Sequence, residues 1–183
     1  MHSYYDTIVF SYFFYNPNAK NKYSPIQSSD ISPIISFFSI EEFLHVNLRN
    51  RDSGFGQSRK YYELWEDLEL LRPFFEVFNV EMTVIDEVFK RMMSRIINYA
   101  QTSGLDYNLL YQNHNIPEMM DIVHLVTADV AGAVTFITAD KKFEFFEPIQ
   151  DLPLKNVTEI IILDRADFDP KKEHRVYLHH APA

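Results

Sequence analysis

Along this chain, compact apolar runs alternate with longer stretches in which apolar residues recur every three or four positions. Residues 4–11 (YYDTIVFS) are rich in aromatic and β-branched types and predict a first strand, with Asp6 early in it. Residues 15–30 are polar, contain two prolines and predict a loop. Ile31–Phe38 resume an apolar run suited to a second strand, demoted at its start by Pro33. Ser39 then serves as a helix N-cap with Glu41 and Glu42 in the first turn, where the helix dipole favours carboxylates; that helix runs to about Asn50. Apolar spacing at Leu64, Leu68 and Leu71 predicts a helix over 58–77, bent or ended by Pro73. Spacing at Val84, Val88, Met92 and Ile96 predicts another over 81–101. A short helix and a loop follow, and Pro117 then opens a helix to about Ala131, stopped by Gly132. Val134–Thr138 predict a strand, Lys141–Phe146 a helical turn and Val157–Leu163 a further strand. The last twenty residues are charged and weakly patterned, and partial disorder is expected there.

Strands separated by helices predict an α/β fold with a mainly parallel sheet and helices on both faces. In such sheets, sites form beyond the carboxyl ends of the strands. At 183 residues the chain suits one domain, and its 46% apolar content includes 16 Phe and 11 Tyr, enough for a large aromatic core. Four glycines are too few for a glycine-rich phosphate loop, and the absence of cysteine excludes disulfides, thiolate metal sites and cysteine nucleophiles. The amino terminus does not read as a signal peptide, and no run approaches the roughly 20 apolar residues of a membrane span. A soluble, cytoplasmic protein without membrane contact is expected.

The net charge of −9 argues against holding nucleic acid by bulk electrostatics. Local cations are still present. Arg49, Arg51, Arg59 and Lys60 cluster in sequence as a candidate nucleic-acid contact, and Arg91 and Arg95 lie one turn apart on a predicted helix. Tyr4, Tyr5 and Tyr107 are candidates to stack on bases. Set against these are four acidic residues, Asp6, Glu42, Asp121 and Asp140, each in a local sequence that ends a strand or opens a helix. Singly, each has a structural use as a strand-end or helix-start residue. Gathered at one edge of a sheet, they would repel one another unless divalent cations sat between them. Carboxylate oxygens suit Mg²⁺ or Mn²⁺, and such ions assist attack on phosphodiesters.

The same residues resemble the PIN-domain family, whose members include toxin–antitoxin ribonucleases of the VapC type. The opening Asp-Thr of YYDTIVF resembles the first family motif. Ser39-Ile40-Glu41-Glu42-Phe43 resembles the second and favours Glu42 over Glu41. Asp121, His124 and Ala128 match an Asp-x-x-His-x-x-x-Ala motif, and Thr138, Asp140 and Phe143 match Thr-x-Asp-x-x-Phe. The likeness spans about residues 1–165, which it marks as a nuclease domain, with 166–183 as a carboxyl-terminal extension. It implies a three-layer α/β/α fold and a metal-dependent endoribonuclease acting on RNA through Mg²⁺ or Mn²⁺. Asp6, Glu42, Asp121 and Asp140 would be its catalytic and metal-binding set, with Thr7, Thr138 and His124 supporting them. It also implies an antitoxin or a second copy as candidate protein partners. The competing expectation is a PIN-like module that binds or scaffolds without cutting. A dehalogenase-type phosphatase also opens with a strand aspartate, but it needs a second Asp two residues on, where this chain has Ile8.

Overall fold

The first apolar run divides at Asp6. In the computed structural model, which describes residues 2–15, 32–49, 64–66, 68–69, 75–79, 81–164 and 172–181, strand β1 covers only His2–Tyr5 and helix α1 follows at Thr7–Tyr15. The single strand expected over 4–11 is therefore corrected. An apolar run this short does not distinguish a strand from a buried helix, and Asp6 ends the ambiguity by capping. Its carboxylate accepts the Thr7 N–H at 2.7 Å and its carbonyl accepts the Phe10 N–H at 2.9 Å. Asp6 thus stands at the carboxyl end of its strand, not near the beginning.

Strand β2 (Ser32–Ser36) runs straight into helix α2 (Phe37–Arg49). The expected cap at Ser39 moves to Ser36, whose hydroxyl accepts the Ser39 N–H at 3.2 Å. Glu41 and Glu42 consequently belong to the second turn, not the first. Most of the helix expected over 58–77 lies outside the described residues. Within it, Leu64 and Leu68 are buried and helical, but Glu76–Phe78 form an unforeseen strand, β3. Helix α3 (Met82–Thr102) buries Ile85, Val88, Met92, Ile96 and Ala100, so the core stripe begins at Ile85 and leaves Val84 exposed. Helix α4 (Tyr107–Gln112) is capped by Asp106, and helix α5 (Met119–Val130) follows Pro117. Strand β4 (Thr135–Thr138), a 3₁₀ turn at Lys141–Phe146 and strand β5 (Glu159–Ile162) complete the expected elements.

No periodicity marks residues 166–183, yet His174–Tyr177 form strand β6, antiparallel to β5, with Val176 fully buried. Four residues of alternation are too few to read in sequence, and pairing with a neighbour decides. The sheet order is β3-β2-β1-β4-β5-β6, parallel except for β6. Alternation along the strands sends Tyr4, Ile34, Phe136 and Ile160 to one face, beneath α3 and α5, and Tyr5, Ile35, Ile137 and Ile161 to the other, beneath α1 and α2. This is the expected α/β/α layering. Among the described residues no helix is long and apolar enough to cross a membrane.

Candidate active site

Strand order reverses at β1: the chain moves outward to β2 and β3 on one side and returns to β4 on the other. Such a switch point leaves a crevice beyond the carboxyl ends of β1 and β4. Asp6 directly follows β1, and Asp140 lies two residues past β4. The Asp6 N–H donates to the Ile137 carbonyl at 2.9 Å, fixing its backbone to β4. The Thr138 hydroxyl donates to Asp6 Oδ2 at 2.7 Å and accepts the Asp140 N–H at 3.1 Å, so one threonine ties the two aspartates together. Asp140 Oδ1 accepts the Lys142 N–H at 2.9 Å and caps the 3₁₀ turn.

Two helices bring the other carboxylates. Asp121 lies in the first turn of α5, where its Oδ2 accepts the Glu118 N–H at 2.7 Å. Burial pushes its pKa up to about 6, with the charges of Asp6 and Asp140 adding to the rise. Burial likewise raises Asp6, further helped by Glu42, while His124 and the Thr138 hydroxyl pull the other way. Glu42 reaches in from α2 and meets His124, with Oε2 at 3.0 Å from Nε2. That bond holds its carboxyl below the usual range despite partial burial. His124 is one turn beyond Asp121 and 1% exposed. Burial alone would lower its pKa, but the Glu42 bond and the charges of Asp6, Glu42 and Asp121 raise it. Asp6 therefore lies within electrostatic range of Glu42, and Asp121 within range of Asp6 and Asp140.

Lys142 is the residue that the sequence reading missed. Its ammonium lies 3.1 Å from Glu118 Oε1 and 3.7 Å from Asp140 Oδ2, a resident cation beside the acidic set. The only hint in sequence was two lysines directly after Asp140, which on their own read as a solvated turn. Arg51, Arg59 and Lys60 lie outside the described residues, as does the Arg49 side chain. Arg91 pairs with Glu87, and Arg95 donates to the Gln150 carbonyl at 2.7 Å, which staples α3 to a loop. Tyr4 and Tyr5 are fully buried, so the expectation that they stack on bases is corrected. Tyr107 is partly exposed and stacks on Tyr111, with ring centroids 6.4 Å apart.

The donor chemistry fits a hard divalent cation: every candidate ligand is a carboxylate. The Thr7 hydroxyl is buried beside Asp6 and lies near Glu42 without a formed hydrogen bond, an orphan facing this polar crevice. Asp121 Oδ1 and Glu42 Oε1 accept no hydrogen bond among the described residues. The ligand cage is not assembled, however. Among the described residues, no three His, Cys, Asp or Glu side chains are grouped tightly enough to hold one ion.

No protein-family profile matches the chain, and no curated protein matches it. Among solved structures, it resembles VapBC2 from Rickettsia felis bound to a DNA fragment from their promoter. The TM-score is 0.54 at 14% identity, over 79% of this chain and 92% of that one. The fold is PIN-like. PAE2754 from Pyrobaculum aerophilum aligns over 78% of this chain and 82% of its own, at 14% identity and a TM-score of 0.46.

Proposed function

We propose that this chain is a metal-dependent endoribonuclease, the toxin of a toxin–antitoxin pair, with Asp6, Glu42, Asp121 and Asp140 as its working carboxylates. The observation that carries the reading is geometric: at the β1/β4 switch point the Thr138 hydroxyl ties Asp6 to Asp140, and His124, one turn beyond Asp121, holds Glu42. Burial raises Asp6 and Asp121, and like charges beside them add to the rise, which disfavours their ionised forms in the absence of a cation. Mg²⁺ or Mn²⁺ held by Asp6, Asp121 and Asp140 would supply Lewis-acid charge at a phosphodiester and lower the pKa of a water. The chain's own residues do the rest. Thr138 orients Asp6 and Asp140 together, the Thr7 N–H fixes the second oxygen of Asp6, and the Glu118 N–H sets the rotamer of Asp121. Glu42, held by His124, is placed to orient or deprotonate the attacking water. Arg49, Arg51, Arg59 and Lys60 are proposed to meet the RNA backbone. The similarity to a VapBC2 structure supports an antitoxin as the protein partner.

A non-catalytic PIN-like module is the second reading, favoured by the unassembled ligand cage. One experiment separates the two. Wild-type protein and Asp140→Asn are prepared side by side and given single-stranded RNA with Mn²⁺, Mg²⁺ or a chelator. The nuclease reading expects slow, metal-dependent cleavage by the wild type and none by the variant. Equal cleavage by both marks a contaminant. Absence of cleavage by either, together with no Mn²⁺ binding in calorimetry, establishes the scaffold.

A further inference from the structure

Glu42 is the least constrained member of the acidic set. Its side chain is 39% exposed on a helix surface, carries three rotatable torsions and has water within easy reach. One hydrogen bond, from His124 Nε2 at 3.0 Å, turns it inward. Behind that histidine the core contains an unusual amount of polar structure. Tyr4 Oη lies 3.0 Å from His124 Nδ1, 2.7 Å from Ser36 Oγ and 3.1 Å from Ser39 Oγ. Tyr4, Ser36 and Ser39 are all fully buried.

When the imidazole is neutral, counting donors gives this line one direction. An ionised carboxylate only accepts, so Nε2 of His124 must carry a proton. In the neutral ring Nδ1 then accepts, and Tyr4 Oη is the donor within reach. The Tyr4 oxygen in turn has two lone pairs for the hydroxyls of Ser36 and Ser39, and Ser36 Oγ still accepts the Ser39 N–H at 3.2 Å. Every buried side-chain polar atom of the line has a partner, and the line runs from the serines through Tyr4 and His124 to Glu42 Oε2. Its members come from β1, β2, α2 and α5, so it also locks four elements in register. The Tyr4 ring is clamped by stacking on Phe136, with centroids 5.7 Å apart and planes 13° from parallel. Burying the four polar groups of Tyr4, Ser36, Ser39 and His124 is costly where apolar side chains would fill the same space. A fully satisfied network has the compensating effect of rigidity.

We infer that His124 is a positioning residue for Glu42, and that Tyr4, seated on Ser36 and Ser39, sets the tautomer and aim of His124. The inference rests on the site reading above, in which Glu42 acts at the reacting water. His124 ties up Oε2 and leaves Oε1 without a hydrogen bond among the described residues. Tyr4 keeps Nδ1 occupied as an acceptor, so the ring cannot turn over and present a lone pair to Glu42.

The test combines a spectrum with kinetics on the full chain. Long-range ¹⁵N spectra of histidine-labelled, metal-free protein should show His124 protonated at Nε2, with its nitrogen shifts altered in Tyr4→Phe and in Glu42→Gln. An unprotonated Nε2, or shifts indifferent to both substitutions, overturns the inference whatever the activity. In RNA cleavage, His124→Met should lower kcat about 10- to 100-fold, the usual effect of removing a group that orients a metal-site carboxylate, with KM unchanged. His124→Gln, which keeps a donor toward Glu42, should recover most of that loss, and Tyr4→Phe should fall between them. If Glu42→Gln is inactive while His124→Met and Tyr4→Phe cleave at the wild-type rate, the positioning role fails and the site reading stands. If Glu42→Gln is fully active, the site reading fails. Tyr4→Phe and the spectrum keep the question decidable should His124→Met not fold.

Discussion

Lys142 holds a place that the surrounding charges make costly to leave empty. Its ammonium sits between Glu118 and Asp140 and within the field of Asp121, and these contacts raise its pKa although burial opposes them. A cation this near Asp140 competes with any divalent ion sharing that carboxylate. Two unit charges 4 Å apart interact by about 4 kcal/mol near a protein surface, and much of this is screened for a side chain that is partly solvated. Under the proposed function, Lys142→Met should therefore tighten Mn²⁺ binding by about 3- to 10-fold in calorimetry, while weakening binding of single-stranded RNA. Unchanged or weaker Mn²⁺ binding would show that Lys142 only anchors Glu118. Thr138 illustrates the same point for neutral groups, since a single hydroxyl satisfies Asp6 Oδ2 and accepts the Asp140 N–H.

At the scale of elements, the ends of helices place the chemistry more than their interiors do. Asp6 caps α1, Ser36 caps α2, Asp121 accepts from the backbone ahead of α5, and Asp140 caps the 3₁₀ turn. Each serves a backbone N–H that would otherwise lack a partner and is held in place by doing so. The far end of α5 is fixed by purely structural means. Gly132 has φ +77°, and Ala133 N–H closes onto the Ala128 carbonyl at 3.0 Å. A Cβ at Gly132 would meet nothing within 4 Å, so strain and not collision opposes a side chain there. Gly132→Ala should cost about 1 kcal/mol of stability in denaturant titration and leave cleavage unaltered, because the crevice lies at the opposite end of α5. A loss of cleavage in excess of the loss of folded protein would mean that this turn communicates with the site.

For the whole molecule, the acidic crevice couples stability to pH. Asp121 has a folded pKa of about 6, above its ordinary value of about 4, so the folded state binds the proton more tightly than the unfolded one. Its contribution to stability is complete below about pH 4 and is lost as pH rises through 6. Asp6, also raised, acts in the same direction. His124, raised from about 6.5, loses its contribution as pH rises further. Glu42 is lowered and acts oppositely, its stabilising effect disappearing only as pH falls through its folded value. In chelator at neutral pH, Asp121→Asn should melt higher than the parent by roughly 2–8 °C, corresponding to about 1–2 kcal/mol after sharing among coupled charges. The difference should vanish near pH 4, and Mn²⁺ should raise the parent but not the variant. A variant that melts lower than the parent in chelator would identify the Glu118 N–H bond as the dominant role of Asp121.

Reading the chain alone was enough to place the layered α/β class, helices α3 and α5 and the 3₁₀ turn, because apolar periods over many residues and caps beside them are local properties. It also singled out Asp6, Glu42, Asp121 and Asp140, because their flanking residues are the ones that end strands and begin helices. Local pattern could not decide where β1 stops, since TIVFSYFFY is apolar enough for either a strand or a buried helix. Nor could it find β3 and β6, three and four residues long, which exist only by pairing with β2 and β5. Tyr4, Ser36 and Lys142 read as a candidate base-stacking residue, a strand residue and part of a solvated turn until tertiary contact joined them to His124 and Asp140. Hydrogen bonds and Coulomb forces between residues more than a hundred positions apart depend on distance in space, and only the fold sets that distance.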